Sequence, residues 1–371
     1  MANIGVDSNG RYDDGGSGYA KIEILMRVFI KTFGCAQNKA DSERIKAYYW
    51  EKGYTEVGSW RQADEVVINS CVVRESAENR AWGLIHEIRK AGGKQRVVVT
   101  GCAVGANMTK RVDGIDEWAK IGKFLVWEPI RDRDGGALIS ISSGCNNYCS
   151  FCIVPKARGA EVSKKMDEIL KEVDKAIDEG FGEVVLVGQN VNSYGSDFGG
   201  DSWVHMGKKR IRSQFPKLLE AVAGKKLKKI SFVSSNPWDF SDELIDTIAK
   251  HPTIDRLIHL PFQSGNDEIL KRMNRSYSRE EYLDLVNRIR EKVKGVRLST
   301  DIIIGFPGEN EAAFADTVDV CQRVGFEIAY LNKYSPRSGT VAAKTYGNDV
   351  PMTEKKRRWK ILNDLVNKKL T

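Results

Sequence analysis

Two rhythms of apolar and polar positions run along the chain. In the first part, short β-branched runs are each followed by one or two small or polar residues and then a cysteine. RVFIKTFGC ends at Cys35, DEVVINSC at Cys71 and RVVVTGC at Cys102. Between them the apolar positions fall at helical spacing. DSERIKAYYWEKG has Asp41 or Ser42 as its N-cap and Gly53 as its stop, and SAENRAWGLIHEIRKAGG runs from near Ser76 to Gly92. Strand, helix, strand at this rhythm predicts an N-terminal parallel α/β sheet domain over 26–135. In such a sheet the loops after the strands share one edge. Cysteines 36 and 31 positions apart are therefore expected to converge in space, as metal ligands rather than as buried small residues.

From Ala137 the rhythm changes to strand runs, most followed by a helix. The strands are ALISISS, Glu183 to Gly188, Lys229 to Ser235, Arg256 to Gln263, Val296 to Gly305 and Glu327 to Ser335. Helical spacing falls at Ser163 to about Glu179, Pro216 to Ala223, Ser241 to Lys250, Ser278 to Lys294 and Glu311 to Val324. Six such units over 137–350 predict an open, partial (β/α)6 barrel, with function at the carboxyl ends of its strands. Polar residues stand there: a cysteine cluster from Cys145, then Gln189 and Asn190, Ser234 to Asn236, Gln263 and Ser264, and Asp301. The glycines of GFPGE, Gly305 and Gly308, allow a tight turn after the fifth strand. The loop GGDSWVHMGKKRIRSQ reads as a solvated face, and 351–371 as a basic helix.

Composition alters this picture little. With 371 residues, 41% of them hydrophobic, the chain can fill two or three domains. No run approaches ~18 uninterrupted apolar residues, so no membrane span is expected. Residues 1–25 are polar and glycine-rich, read as a disordered tail or as an over-long start with Met26 as initiator. A cytoplasmic location follows as an expectation. The net charge of +8 suits a polyanionic partner such as RNA, or a lysine-rich surface kept for solubility.

The count of seven cysteines points to metal or cluster ligation in a reducing compartment rather than to disulfides. GCNNYCSFCIVPKARG places Cys145, Cys149 and Cys152 in a Cys-x3-Cys-x2-Cys array with no nearby fourth ligand. A structural zinc site wants four ligands. An iron–sulfur cube held by three thiolates leaves one iron open to a small chelating molecule. Placed after the first strand of a six-unit barrel, with Phe151 inside it, this loop resembles that of the radical S-adenosylmethionine (radical SAM) superfamily. The resemblance implies that the open iron binds the amino and carboxylate groups of SAM, which is cleaved to a 5′-deoxyadenosyl radical.

TFGCAQNKADSER, NSCVVRESAE, GCNNYCSFCIVPKARG, VLVGQNVNSYG, HLPFQSGNDEILKRMNR and DIIIGFPGE resemble, in order, the blocks of the methylthiotransferases. GQNVNSYG is similar to the tRNA-modifying branch. The resemblance implies a second, auxiliary [4Fe-4S] cluster on Cys35, Cys71 and Cys102. It also implies two SAM molecules, one giving a methyl group to sulfur and one the radical. The product implied is a methylthio group at C2 of N6-isopentenyl-adenosine-37, with the tRNA anticodon loop as partner and flavodoxin or ferredoxin as electron donor. Gln189 and Asn190 stand where SAM's amino group is held, with strand caps as the plainer reading. Ser234, Gln263 and Asp301 are expected to meet SAM ribose or carboxylate. Lys156 and Arg158 are expected to meet SAM carboxylate or RNA phosphate. His259 reads as a packed core residue and Cys321 as a buried apolar substitute.

The family's terminal RNA-binding TRAM domain has no counterpart before Thr371. TEKKRRWKILNDLVNKKL resembles the helix leading into it, so the expectation is either a truncated chain, with weak RNA affinity, or a chain that binds tRNA by its remaining surfaces. Asn236 stands where the tRNA branch often has His, and Lys164 where an Arg often follows the serine. Two alternatives stay open: the same chemistry on a ribosomal protein or another tRNA adenosine, and an iron–sulfur or zinc protein that binds RNA without cleaving SAM.

Overall fold

The computed structural model describes residues 26–73, 75–107, 112–131, 135–198 and 213–370. The proposed tail 1–25 and most of the basic loop after Gly199 lie outside the described residues.

In the N-terminal domain, β1 (Arg27–Thr32), β2 (Glu65–Ser70) and β3 (Arg96–Gly101) pair in parallel. Two-residue strands, Thr55–Glu56 beside β1 and Glu117–Trp118 beside β3, complete the sheet. β2 lies at its centre and is buried along its whole length, as a two-sided parallel strand must be. Its alternating side chains feed two cores. Val67 packs with Ile45, Tyr49 and Phe124, while Val66 and Ile68 pack with Ile85 and Ile88. Ile45 and Tyr49 come from α1 (Ala36–Glu51), Phe124 from the short helix Gly122–Leu125, and Ile85 and Ile88 from α2 (Glu75–Lys90); α1 and α2 lie on opposite faces.

α1 starts earlier than its sequence suggests. It follows Cys35 directly, and Asp41 and Ser42, expected as N-caps, are buried inside it. Ser42 and one oxygen of Asp41 find partners outside the helix, while the other Asp41 oxygen accepts from Gln37 within it at 3.1 Å. The Ser42 hydroxyl lies 2.6 Å from that of Thr32, and Asp41 meets the barrel.

The barrel holds the six expected strands: β4 (Ala137–Ser140), β5 (Glu183–Val187), β6 (Lys229–Phe232), β7 (Leu257–His259), β8 (Arg297–Ile304) and β9 (Ile328–Lys333). They form two three-stranded parallel sheets, in orders β6-β5-β4 and β7-β8-β9. A parallel bridge from Ile230 to Ile254 joins the halves. The outer face packs on α3 (Met166–Asp178), α4 (Phe215–Ala223), α5 (Asp242–Lys250), α6 (Arg279–Lys292) and α7 (Glu311–Val324). Local chemistry sets their starts. Ser241 caps α5, Ser278 and Glu281 form a capping box on α6, and Asn310 caps α7.

The basic C-terminal helix α8 (Met352–Val366) is docked on the barrel. Leu362 and Val366 join the main core, and the Arg358–Glu309 pair is almost fully enclosed at 2.7 Å. Cys321 is 2% exposed within the same core. Among the described residues, no helix is long and apolar enough to cross a membrane.

Candidate active site between two cysteine triads

The first triad forms where the carboxyl ends of β1, β2 and β3 meet. Cys35 caps α1, Cys71 follows β2, and Cys102 opens the short helix Cys102–Gly105. Asn38 gathers them: its Oδ1 lies 3.4 Å from Cys35 Sγ and 4.0 Å from Cys102 Sγ. Its amide donates to Asn69 Oδ1 at 3.1 Å and to the Ser70 carbonyl at 2.9 Å, fixing its orientation. Gly34 and Gly101 leave room for this approach. A Cβ on Gly34 would stand 2.8 Å from Cys71 Cβ, and one on Gly101 2.4 Å from Asn69 Oδ1. Both have positive φ, +128° and +84°. Burial pushes the Cys102 thiol up to about 11, with Arg158 drawing it down and Cys71 and Cys35 adding to the rise.

The second triad follows β4. Cys145 is buried, and Cys149 and Cys152 are half-buried. The loop is stapled to the segment after β7. Ser150 N–H donates to the Met273 carbonyl at 2.9 Å, Ser150 Oγ to the Arg272 carbonyl at 2.7 Å, and Asn274 to the Tyr148 carbonyl at 2.9 Å. Phe151 meets Phe306 edge-on at 6.4 Å. Burial pushes Cys152 up to about 12 and Cys145 well above its ordinary value, with neighbouring cysteines adding to both. Arg275 donates to Cys149 Sγ at 3.3 Å.

The two triads are neighbours. Cys102, Val72, Ala103 and Ala106 of one domain share an apolar cluster with Ile153 and Ala157 of the other. Gly105 makes the approach possible, since a Cβ there would fall 1.7 Å from the Ala157 carbonyl oxygen. Gln37 donates to Ser140 Oγ at 2.9 Å across the same seam. Further out, Arg44 grips Glu172 with two hydrogen bonds, at 2.9 and 3.0 Å, and Lys164 donates to Glu172 at 2.9 Å. Lys164 is thus a member of this ion-pair seam.

Arg158 departs from its expected place. Its side chain is 2% exposed and turned into the seam, donating to Asp41 at 2.7 Å and to Asn38 Oδ1 at 3.3 Å. Arg158 thus lies enclosed in the seam beside the first triad rather than on an open surface. Lys156 stays exposed, with its ammonium 2.7 Å from where a Cβ on Gly339 would lie.

The remaining residues line the barrel's carboxyl edge. Gln189 is half-buried, and Asn190 is buried and donates to Asp239 at 2.6 Å. Ser234 and Gln263 share a left-handed φ of +69°. Asn190 Oδ1, Asn192 Oδ1, Ser235 Oγ and Gln263 Oε1 are buried without a hydrogen-bond partner, as expected of a surface that receives a polar ligand. Asp301 points inside the barrel and meets His259 Nε2 at 2.9 Å, while Ser299 Oγ meets His259 Nδ1 at 3.1 Å. His259 is therefore not a packed core residue but part of a polar row facing the lumen, edge-on to the half-exposed Tyr330 at 5.6 Å.

Arg275 and Asn38 escaped sequence reasoning. Each carries one signal only: it lies inside a quoted block, Arg275 ending HLPFQSGNDEILKRMNR and Asn38 following Cys35.

The residues present fit iron–sulfur clusters. Two sets of three thiols each leave a fourth position open, and the buried Nε and Nη1 of Arg158 lack acceptors beside the first triad. Among the described residues, no three His, Cys, Asp or Glu side chains close on one point as a single ion requires.

The fold and the site define a radical SAM protein. Residues 139–321 match the radical SAM superfamily, and residues 27–119 match the uncharacterized protein family UPF0004. The chain is 39% identical to the tRNA-2-methylthio-N(6)-dimethylallyladenosine synthase of Thermotoga petrophila, over 93% of this chain and 83% of that one. It is 38% identical to the same enzyme of Fusobacterium nucleatum, over 93% and 84%. The radical SAM methyltransferase TsrM of Kitasatospora setae shares the fold, with a TM-score of 0.57 at 13% identity over 86% of this chain and 77% of that one. The chain belongs to the family of tRNA-2-methylthio-N(6)-dimethylallyladenosine synthases, the methylthiotransferases of the radical SAM superfamily.

Proposed function

We propose that this chain is a radical SAM transferase that inserts a methylthio group at C2 of N6-isopentenyl-adenosine-37 in a tRNA anticodon loop. One observation carries the reading: two cysteine triads, each offering three ligands and leaving a fourth position open, lie close together at a single interdomain seam. In this reading Cys145, Cys149 and Cys152 hold a SAM-binding [4Fe-4S] cluster, and Cys35, Cys71 and Cys102 hold an auxiliary one. Bound there, the clusters and SAM supply hydrogen-abstracting radical chemistry together with the sulfur and methyl carbon to be inserted.

The chain's own residues position and enclose. Gln189 and Asn190 hold the amino end of SAM, with Asp239 orienting Asn190. Ser234, Gln263 and Asp301 meet its ribose or carboxylate. The buried, unpartnered Asn190 Oδ1 and Gln263 Oε1 favour this assignment, because an orphaned polar group costs about 1–3 kcal/mol until a ligand satisfies it. Lys156, exposed beside the cysteine loop, meets a tRNA phosphate. An unpaired loop base can be unstacked and presented singly, as the barrel mouth requires. Flavodoxin or ferredoxin supplies the electron, and the protein works in the cytoplasm.

The test is nucleoside mass spectrometry on isopentenylated tRNA incubated anaerobically with reconstituted protein, SAM and a reductant. A methylthio-isopentenyl-adenosine product is the expected outcome. Formation of 5′-deoxyadenosine without it would overturn the substrate and leave the radical chemistry standing.

A further inference from the structure

Two guanidinium groups serve the two triads, the buried Arg158 and the half-buried Arg275, and they are not equivalent. Arg158, at the first triad, is neutralised by Asp41 at 2.7 Å. Arg275, at the second, has no carboxylate partner among the described residues. Nε donates to Tyr277 Oη at 3.1 Å, and Nη2 to Asn236 Oδ1 at 3.0 Å and the Pro261 carbonyl at 3.2 Å. Nη1 donates to Cys149 Sγ at 3.3 Å. Tyr277 is itself held, donating to the Phe262 carbonyl at 2.9 Å. Every anchor is neutral except the thiolate that Cys149 becomes as a ligand. Even a half-buried cation without an anion is costly, so the fork is placed where a negatively charged group is to sit.

Hydrogen bonds to ligand sulfur, and nearby positive charge, favour the reduced, more negative state of an iron–sulfur cluster. Resting on the assignment of Cys145, Cys149 and Cys152 as cluster ligands, we infer that Arg275 sets the reduction potential of that cluster. It raises the potential by donating to the Cys149 thiolate from a fork fixed by Asn236, Tyr277 and Pro261. Asn236 thereby gains a role: as a neutral acceptor it fixes the fork and leaves its charge to the cluster.

The experiment is an EPR-monitored redox titration of the reconstituted full chain. The signal followed is the one that changes when SAM is added, which singles out the cluster with the SAM-binding iron. Arg275→Gln removes the charge and keeps a polar side chain. Arg275→Lys keeps the charge but cannot reach sulfur, Asn236 and Pro261 at once. Both midpoint potentials are expected to move negative of the parent, Gln further than Lys. If the Gln variant loses its iron, the Lys variant alone decides. An iron-replete variant whose potential equals the parent's overturns the inference. A parent chain that assembles no SAM-responsive cluster overturns instead the assignment on which it rests.

Discussion

Arg158 of the barrel reaches into the N-terminal domain and closes an ion pair on Asp41 at 2.7 Å, with their side chains 2% and 1% exposed. Removing one partner of such a pair leaves the other charged and buried, at a cost of about 3–5 kcal/mol. Asp41→Asn and Arg158→Met are each expected to lower unfolding stability by that order. The double variant should cost less than the two single losses added together. Urea titration with a double-mutant cycle measures this. Strictly additive losses would show that the two side chains do not act as a pair.

Gly105 controls how closely the two domains approach. A Cβ there would overlap the Ala157 backbone, which cannot swing aside as a side-chain tip can. Gly105→Ala is expected to force the seam open, making the chain more sensitive to limited proteolysis and lowering cluster retention. Gly58 offers the control, since nothing lies within 4 Å of its added Cβ. Gly58→Ala should leave both readouts unchanged. Equal behaviour of the two variants would refute the packing argument.

The six barrel strands and both triads were legible in the sequence because their signals are local. β-branched runs mark strands such as VVINS, and three cysteines recur in one slot after them. The start of α1 was not legible. Asp41 and Ser42 are good caps in isolation, but tertiary partners claim their side chains and the helix begins at Ala36. Nor were the roles of the arginines. Arg158 finds Asp41 across 117 positions and Arg275 finds Cys149 across 126, separations at which no local pattern operates. His259 read as core because its flanks are apolar, yet its strand turns it to the lumen, where Asp301 and Ser299 await it.

The two triads are built on separate domains, so their clusters should be lost separately. Cys149→Ala is expected to leave about half of the reconstituted iron and abolish 5′-deoxyadenosine formation. Cys71→Ala should also leave about half of the iron while retaining SAM cleavage. Iron and sulfide analysis with a cleavage assay distinguishes them. Loss of all iron from either variant would mean that one cluster templates the other.

Glu161 carries a pH dependence of its own. It is buried behind Ser193, whose hydroxyl donates to its carboxylate at 2.6 Å. Burial pushes its carboxyl up to about 7, Ser193 pulls it down, and Asp197 and Asp239 add to the rise. The sign follows from linkage. Between the ordinary carboxyl value of 4.5 and about 7 the folded chain keeps a proton that the unfolded chain has lost. Stability should therefore fall as pH rises through that window and stay low above it. Glu161→Gln keeps an oxygen for Ser193 and carries no charge. It should flatten the profile and gain about 1–3 kcal/mol above pH 7 relative to the parent. Urea midpoints of the chain purified without cluster reconstitution, compared at pH 5.5, inside the window, and at pH 8, about one unit above it, check this. Parallel profiles for parent and variant would remove Glu161 as the titrating group.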